Sequence, residues 1–138
     1  ESPFGFTVEA FGYFTLRQWN QVIQTIERVE ENYGDAFFAR FPDLLLLDGL
    51  AQCNVGNTGE ALVSYNRALE IDPDYHIIYA LRADVQESLI DANNDLNTAL
   101  SSPIGALLEP LLPAFLAGEI DCTNVLEYDF SVPETTEN

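Results

Sequence analysis

Four oxygen-bearing side chains alternate at Asp91, Asn93, Asp95 and Asn97. That spacing matches the first half of a calcium-binding loop, in which alternate positions turn inward and donate carboxylate or amide oxygens. The glycine that gives such a loop its sharp turn is replaced by Leu96, and the closing bidentate acid falls at Ser102. A polar helix-turn segment is the competing reading. His76 is the only histidine, so a cluster of histidines around zinc is excluded. All 5 basic residues are arginines (Arg17, Arg28, Arg40, Arg67 and Arg82), so no glycine-rich phosphate loop can end in lysine. No Cys-x-x-Cys or Gly-x-Ser-x-Gly motif occurs. With 23 acidic residues, chance pairs such as Glu30–Glu31 and Asp72/Asp74 are inevitable. They read as a solvated face and a helix terminator. A non-enzymatic protein without cofactor or metal is expected.

Cys53 and Cys122 are the only cysteines. They allow one disulfide or two buried thiols, and both readings stay open. The chain starts at Glu1 rather than Met, which suggests a fragment or a processed chain. That start and a lysine-free acidic surface favour a secreted or cell-surface protein, where salt screens self-repulsion. The formal net charge of -18 should repel nucleic acid and anionic membranes. No apolar stretch approaches the roughly 20 residues needed to cross a bilayer, so no membrane insertion is expected. The charge is uneven: residues 1–69 carry a net -5 and residues 70–138 a net -13. Ten of the 16 aromatic residues lie in the first 41. Two ends of unlike chemistry make contact between copies of the chain conceivable.

The 138 residues, 47% of them apolar, suffice for one domain with its own core. Three parts are expected: a terminal arm over 1–14, a helical domain over 15–118, and a strand with an acidic tail over 119–138. In the arm, Phe4, Phe6, Val8 and Ala10 alternate with Gly5, Thr7 and Glu9, which predicts a half-buried strand broken at Gly12. From Thr15, as N-cap, to about Tyr33 the period becomes helical, with Trp19, Val22, Ile23, Ile26 and Val29 or Glu30 on one face. Tyr33-Gly34-Asp35 predicts a stop, and AFFARFP one further turn before Pro42. Helices are predicted over 43–54 and 59–71 around a Gly-Asn-Thr-Gly turn, the second ended by Asp72-Pro73.

Residues 42–75 resemble a tetratricopeptide repeat, the 34-residue helix-turn-helix unit of α-solenoids. The resemblance runs through Gly49, Ala51, Gly56, Ala61, Tyr65, Ala68 and Pro73, and the ALEIDP ending is typical. Asp48 and Gln52 depart from the family's Leu and aromatic positions. Upstream, residues 18–32 resemble the second helix of a degenerate repeat. Downstream, residues 76–103 resemble a shortened one, with Tyr79 and Ala83 at the leading aromatic and glycine positions and Ala99 and Pro103 near its end. Its helices are either two short ones or one bent one. The resemblance implies a mainly α fold, a tetratricopeptide-like α-solenoid, with the first helix of each repeat lining a groove. On this chain the groove falls on Asp43, Leu46, Leu50, Cys53 and Asn54, then Ile77, Ala80, Asp84 and Glu87. These positions carry acids and no base, which argues against a carboxylate clamp and favours a basic or apolar partner.

Residues 102–118 predict a closing helix capped by Ser102, kinked by Pro110 and Pro113, and ended by Gly118. Its stripe of Leu107, Leu108, Leu111, Leu112, Phe115 and Leu116 needs a cover. In the tail, Leu126, Tyr128, Phe130 and Val132 alternate with polar residues, predicting a second strand. Unpaired strands need an edge, so the two pair with each other or one adds to a neighbouring copy. Head-to-tail addition propagates into a filament. The expected function is therefore a self-assembling, extracellular filament subunit, with Phe4, Phe6 and Val8 or Leu126, Tyr128, Phe130 and Val132 as inserted side chains. The alternative is a soluble adaptor holding a partner peptide at Leu46, Leu50 and Asn54.

Overall fold

The computed structural model describes residues 3–127, and they are mainly α-helical. No strand occurs among them. α1 (Pro3–Thr15) and α2 (Trp19–Tyr33) form a first hairpin, extended by a short α3 (Asp35–Arg40). α4 (Asp43–Asn54) and α5 (Thr58–Ile71) form a second hairpin, and α6 (His76–Val85) and α7 (Leu89–Leu100) a third. Each helix packs on its neighbours in sequence, α2 also on α4 and α5 on α6. A broken segment follows: α8 (Gly105–Leu108), a 3-10 turn (Glu109–Leu111) and α9 (Leu112–Leu116).

The predicted N-terminal strand is a helix, and the alternation itself explains the error. Two residues of α-helix turn through about 200°, so a period of two places successive members on opposite faces, while every fourth residue shares one. Phe6 and Ala10 are buried, whereas Phe4 and Val8 are exposed. Gly12 sits inside α1 rather than breaking it. Thr15 ends this helix instead of capping the next: its hydroxyl donates to the Phe11 carbonyl at 2.9 Å. Leu126 lies in a turn, so the second strand is not present there either, and Tyr128, Phe130 and Val132 lie outside the described residues.

The predicted helices at 43–54 and 59–71 are present within one residue. Their close approach is carried by Gly49, where a Cβ would run into the ring of Tyr65. Tyr65, Ala51, Ala61 and Ala68 are fully buried around it. Downstream there are two short helices, separated at Gln86, whose extended backbone breaks the helical run, and Ser88, whose hydroxyl accepts from the Asp91 amide. The predicted closing helix is broken into pieces, with Pro110 in the 3-10 turn and Pro113 at the start of α9. Gly105 packs against the Leu100 carbonyl where no Cβ would fit, which lets the chain turn by 119°.

One core runs from α1 to α6 and includes Cys122, and a smaller cluster joins Ala80, Ala99 and Leu108. The aromatic excess near the N-terminus gathers where α1, α2 and α3 meet. Phe6, Tyr33, Phe37 and Phe41 form a chain of ring contacts with centroids 5.0 to 5.9 Å apart. No single helix among the described residues is long and apolar enough to cross a membrane.

Candidate functional site

The C-terminal ends of α4 and α6 lie beside one another and hold the segment that follows α9. Asn54, on the last turn of α4, splits its amide: Nδ2 donates to the Leu50 carbonyl at 2.8 Å and to the Cys122 carbonyl at 2.9 Å. Asp84, near the end of α6, accepts from the Cys122 amide at 3.1 Å. Both backbone groups of one residue are thus read by side chains from two helices. Cys122 itself is bonded to Cys53, one residue before Asn54, with the α-carbons 6.2 Å apart. Of the two readings open for the cysteines, the structure therefore has the disulfide.

Residues 119–127 form a knob braced by its own side chains. Asp121 Oδ1 accepts from the Thr123 amide at 2.8 Å and the Thr123 hydroxyl at 2.6 Å. Asn124 accepts from the Asp121 amide at 3.0 Å and donates to the Glu119 carbonyl at 2.8 Å. Ile120 is almost wholly buried, and Val125 packs on the main core. Glu127 meets Arg17 at 2.8 Å, so the knob spans from α6 back to the turn after α1. Arg17 has a left-handed backbone (φ 60°), a conformation that costs a non-glycine residue about 1 kcal/mol or more. Its guanidinium also donates to the Phe14 carbonyl at 2.9 Å, closing the turn between α1 and α2.

The mapped groove residues fall into three groups. Asn54, Cys53 and Asp84 contact the knob. Leu50 and Ala80 are buried beneath the surface, and Leu46 is half-buried against the core. Asp43 instead accepts a short hydrogen bond from Tyr75, and Glu87 and Ile77 are exposed. Burial and the Asp43 carboxylate together push the Tyr75 hydroxyl's pKa up. The proposed inserted residues divide as well: Phe6 is in the core, while Phe4, Val8 and Leu126 face outward. The knob's use of Ile120 and Arg17 carries no sequence signal beyond the second cysteine.

Three titratable constellations have structural geometry. The alternating donors of the calcium reading lie on helix α7, which spreads them around its axis, so they form no loop. Asp95 is buried and takes a bidentate pair from Arg82 at 2.7 and 3.0 Å, with Gln86 adding a third bond at 2.9 Å. That pairing raises the Arg82 pKa further. Asp48 accepts from Ser64 at 2.5 Å across the α4–α5 interface. Burial raises its pKa from 3.8 to about 6, against the lowering effect of bonds from Ser64 and Gln52. Cys53, Asp84 and Cys122 bring ligand atoms within 4.8 Å of one another, but the two sulfurs are spent on each other, so the group acts as a clamp. Burial also raises the Asp84 pKa, opposed by the Cys122 amide.

Compared with protein-family models, curated proteins and solved structures, the chain matches none.

Proposed function

We propose that this protein is a non-enzymatic structural subunit, built of tetratricopeptide-like hairpins, that assembles end to end with copies of itself. The observation that carries the reading is the outer face of α1. Phe4, Val8 and Phe11 stand at helical spacing on one stripe and are 73%, 56% and 40% exposed. A helical repeat array that ends in water normally closes with a polar outer face. At the other end of the row, Leu89, Ile90, Leu107 and Leu116 are exposed on α7, α8 and α9. Two apolar faces at opposite ends of one chain suit a head-to-tail contact, which does not close on itself and so extends. Helix faces replace the strands expected from the sequence. The Cys53–Cys122 bond supports an oxidising, secreted or cell-surface setting.

The reading is tested with Phe4→Glu/Val8→Glu by sedimentation and electron microscopy. Wild type is expected as elongated assemblies that strengthen with added salt, because screening offsets the repulsion of -18 per subunit. The double variant should sediment as a monomer with unchanged helical circular dichroism. Assemblies that survive both substitutions overturn the proposal. The adaptor reading requires an open groove, and the knob occupies its Asn54–Asp84 end.

A further inference from the structure

From the clamp at Asn54 and Asp84 we infer that this end of the groove is a docking site for the 119–127 knob of a second copy, exchanged between chains and locked by an intermolecular Cys53–Cys122 bond. The clamp and knob use none of the residues of the end-to-end contact, although the arm before the knob carries Leu107 and Leu116, and separate variants test the two readings.

Three observations carry it. The occupant seated in the clamp is part of this chain, so every copy supplies both halves of a fitted pair. The knob is internally braced through Asp121, Thr123 and Asn124, so it can leave one clamp and enter another without refolding. The arm that carries it is anchored by Leu108 against Ala80 and Ala99, while a hollow remains between Phe115 and Leu116 of α9 and the α6–α7 hairpin, and Leu107 and Leu116 are 75% and 64% exposed. The chain turns between α7 and this arm at Gly105, and Gly118, with φ 76°, follows it. Exchange of an identical element between protomers is a low-cost route to association.

The covalent step conserves electrons. A small-molecule thiolate attacks Cys53 Sγ in a transiently opened chain, forming a mixed disulfide there and releasing Cys122 as a thiolate. That thiolate attacks Cys53 Sγ of a second open chain. The interchain Cys53–Cys122 bond forms, the second chain's own bond breaks, and its Cys122 leaves as the next thiolate. Each transfer breaks one S–S bond and makes one, so only a trace of thiol is required.

The test mixes isotopically labelled and unlabelled full-length chains at high concentration with a trace of reduced glutathione, then blocks free thiols. A ladder on a non-reducing gel should collapse on reduction. Mass spectrometry of the digested ladder should find mixed-isotope Cys53–Cys122 pairs exceeding Cys53–Cys53 and Cys122–Cys122 pairs by roughly tenfold, the preference two directing hydrogen bonds supply. Asn54→Ala/Asp84→Ala should lower that preference towards the statistical ratio. Phe4→Glu/Val8→Glu should leave it unchanged, which separates this site from the end-to-end contact. A ladder with statistical pairing in the wild type, or no mixed-isotope pair at any concentration, overturns the inference.

Discussion

The hairpins α4–α5 and α6–α7 occupy equivalent places in the row yet are held together by different forces. In the first, Gly49, Ala51, Ala61 and Ala68 let two helices close around Tyr65, and the contact is mostly dispersion and removal of apolar surface. In the second, α7 buries only Asp95 and Ala99, and the link is a charged one to Arg82 and Gln86. Leu89 and Ile90 stay outside, 82% and 73% exposed. Small residues at fixed spacing make a close hairpin without further help. Where only Ala80 and Ala99 meet, one buried acid and its partners add to the contact, and Leu89 and Ile90 are left for other contacts.

The largest expected effect breaks the charged hairpin. Asp95→Ala removes three hydrogen bonds and leaves the mostly buried Arg82 guanidinium with only its bond to Asn66 and no counter-charge. Losing one member of a buried pair costs about 3–5 kcal/mol, and urea unfolding followed by circular dichroism should read a loss near the lower end because Arg82 is partly exposed. Replacing both members, Arg82→Met with Asp95→Leu, should recover most of it, since desolvation of the pair offsets much of its attraction. A single-variant loss below about 1 kcal/mol, the range of an exposed pair, would erase the contrast between the hairpins.

The next effect breaks the close-packed hairpin. Gly49→Ala forces a methyl into the Tyr65 ring, which is fully buried and cannot yield. Overpacking of this kind costs roughly 1–3 kcal/mol, set against a helix-propensity gain of about 1 kcal/mol, so a net loss of up to about 2 kcal/mol is expected. The same substitution at Gly12, where a Cβ meets nothing, should stabilise by a few tenths of a kcal/mol up to about 1. Equal responses at both glycines would show that interhelix distance is not set at Gly49.

The legibility of the sequence follows the same division. Helices α4 and α5 could be placed within one residue because small, aromatic and proline positions all pointed the same way. α1 could not, because Phe4-x-Phe6-x-Val8-x-Ala10 satisfies a strand and also two opposite helix faces. Only the neighbouring α2 and α4 decide between them, by burying Phe6 and Ala10. Asn54, Cys53 and Asp84 could be mapped to one groove, but what fills it could not. The disulfide spans 69 residues, and no local pattern encodes a partner that distant. The acids were legible as charge and illegible as pairs, since the Arg82–Asp95 contact depends on where α6 and α7 cross.

The smallest effect sharpens the comparison through pH. Asp48 is the one carboxylate within the close-packed hairpin whose pKa is raised to about 6, chiefly by burial. An acid whose folded pKa lies above its unfolded value of 3.8 favours folding while protonated. Its contribution is fully present below about pH 4 and is lost as the pH rises through 6. Partial exposure discounts the change to the order of 1–2 kcal/mol. Asp48→Asn keeps an acceptor for Ser64 and removes the titration, so it should stabilise the protein at pH 7.5 and leave it little changed at pH 4. Urea midpoints across pH 4–8 measure this directly. A wild-type curve that runs parallel to the Asp48→Asn curve between pH 4 and 7 would mean that Asp48 is solvated. The polar contact between α4 and α5 would then be a surface feature rather than a charge held inside a close-packed hairpin.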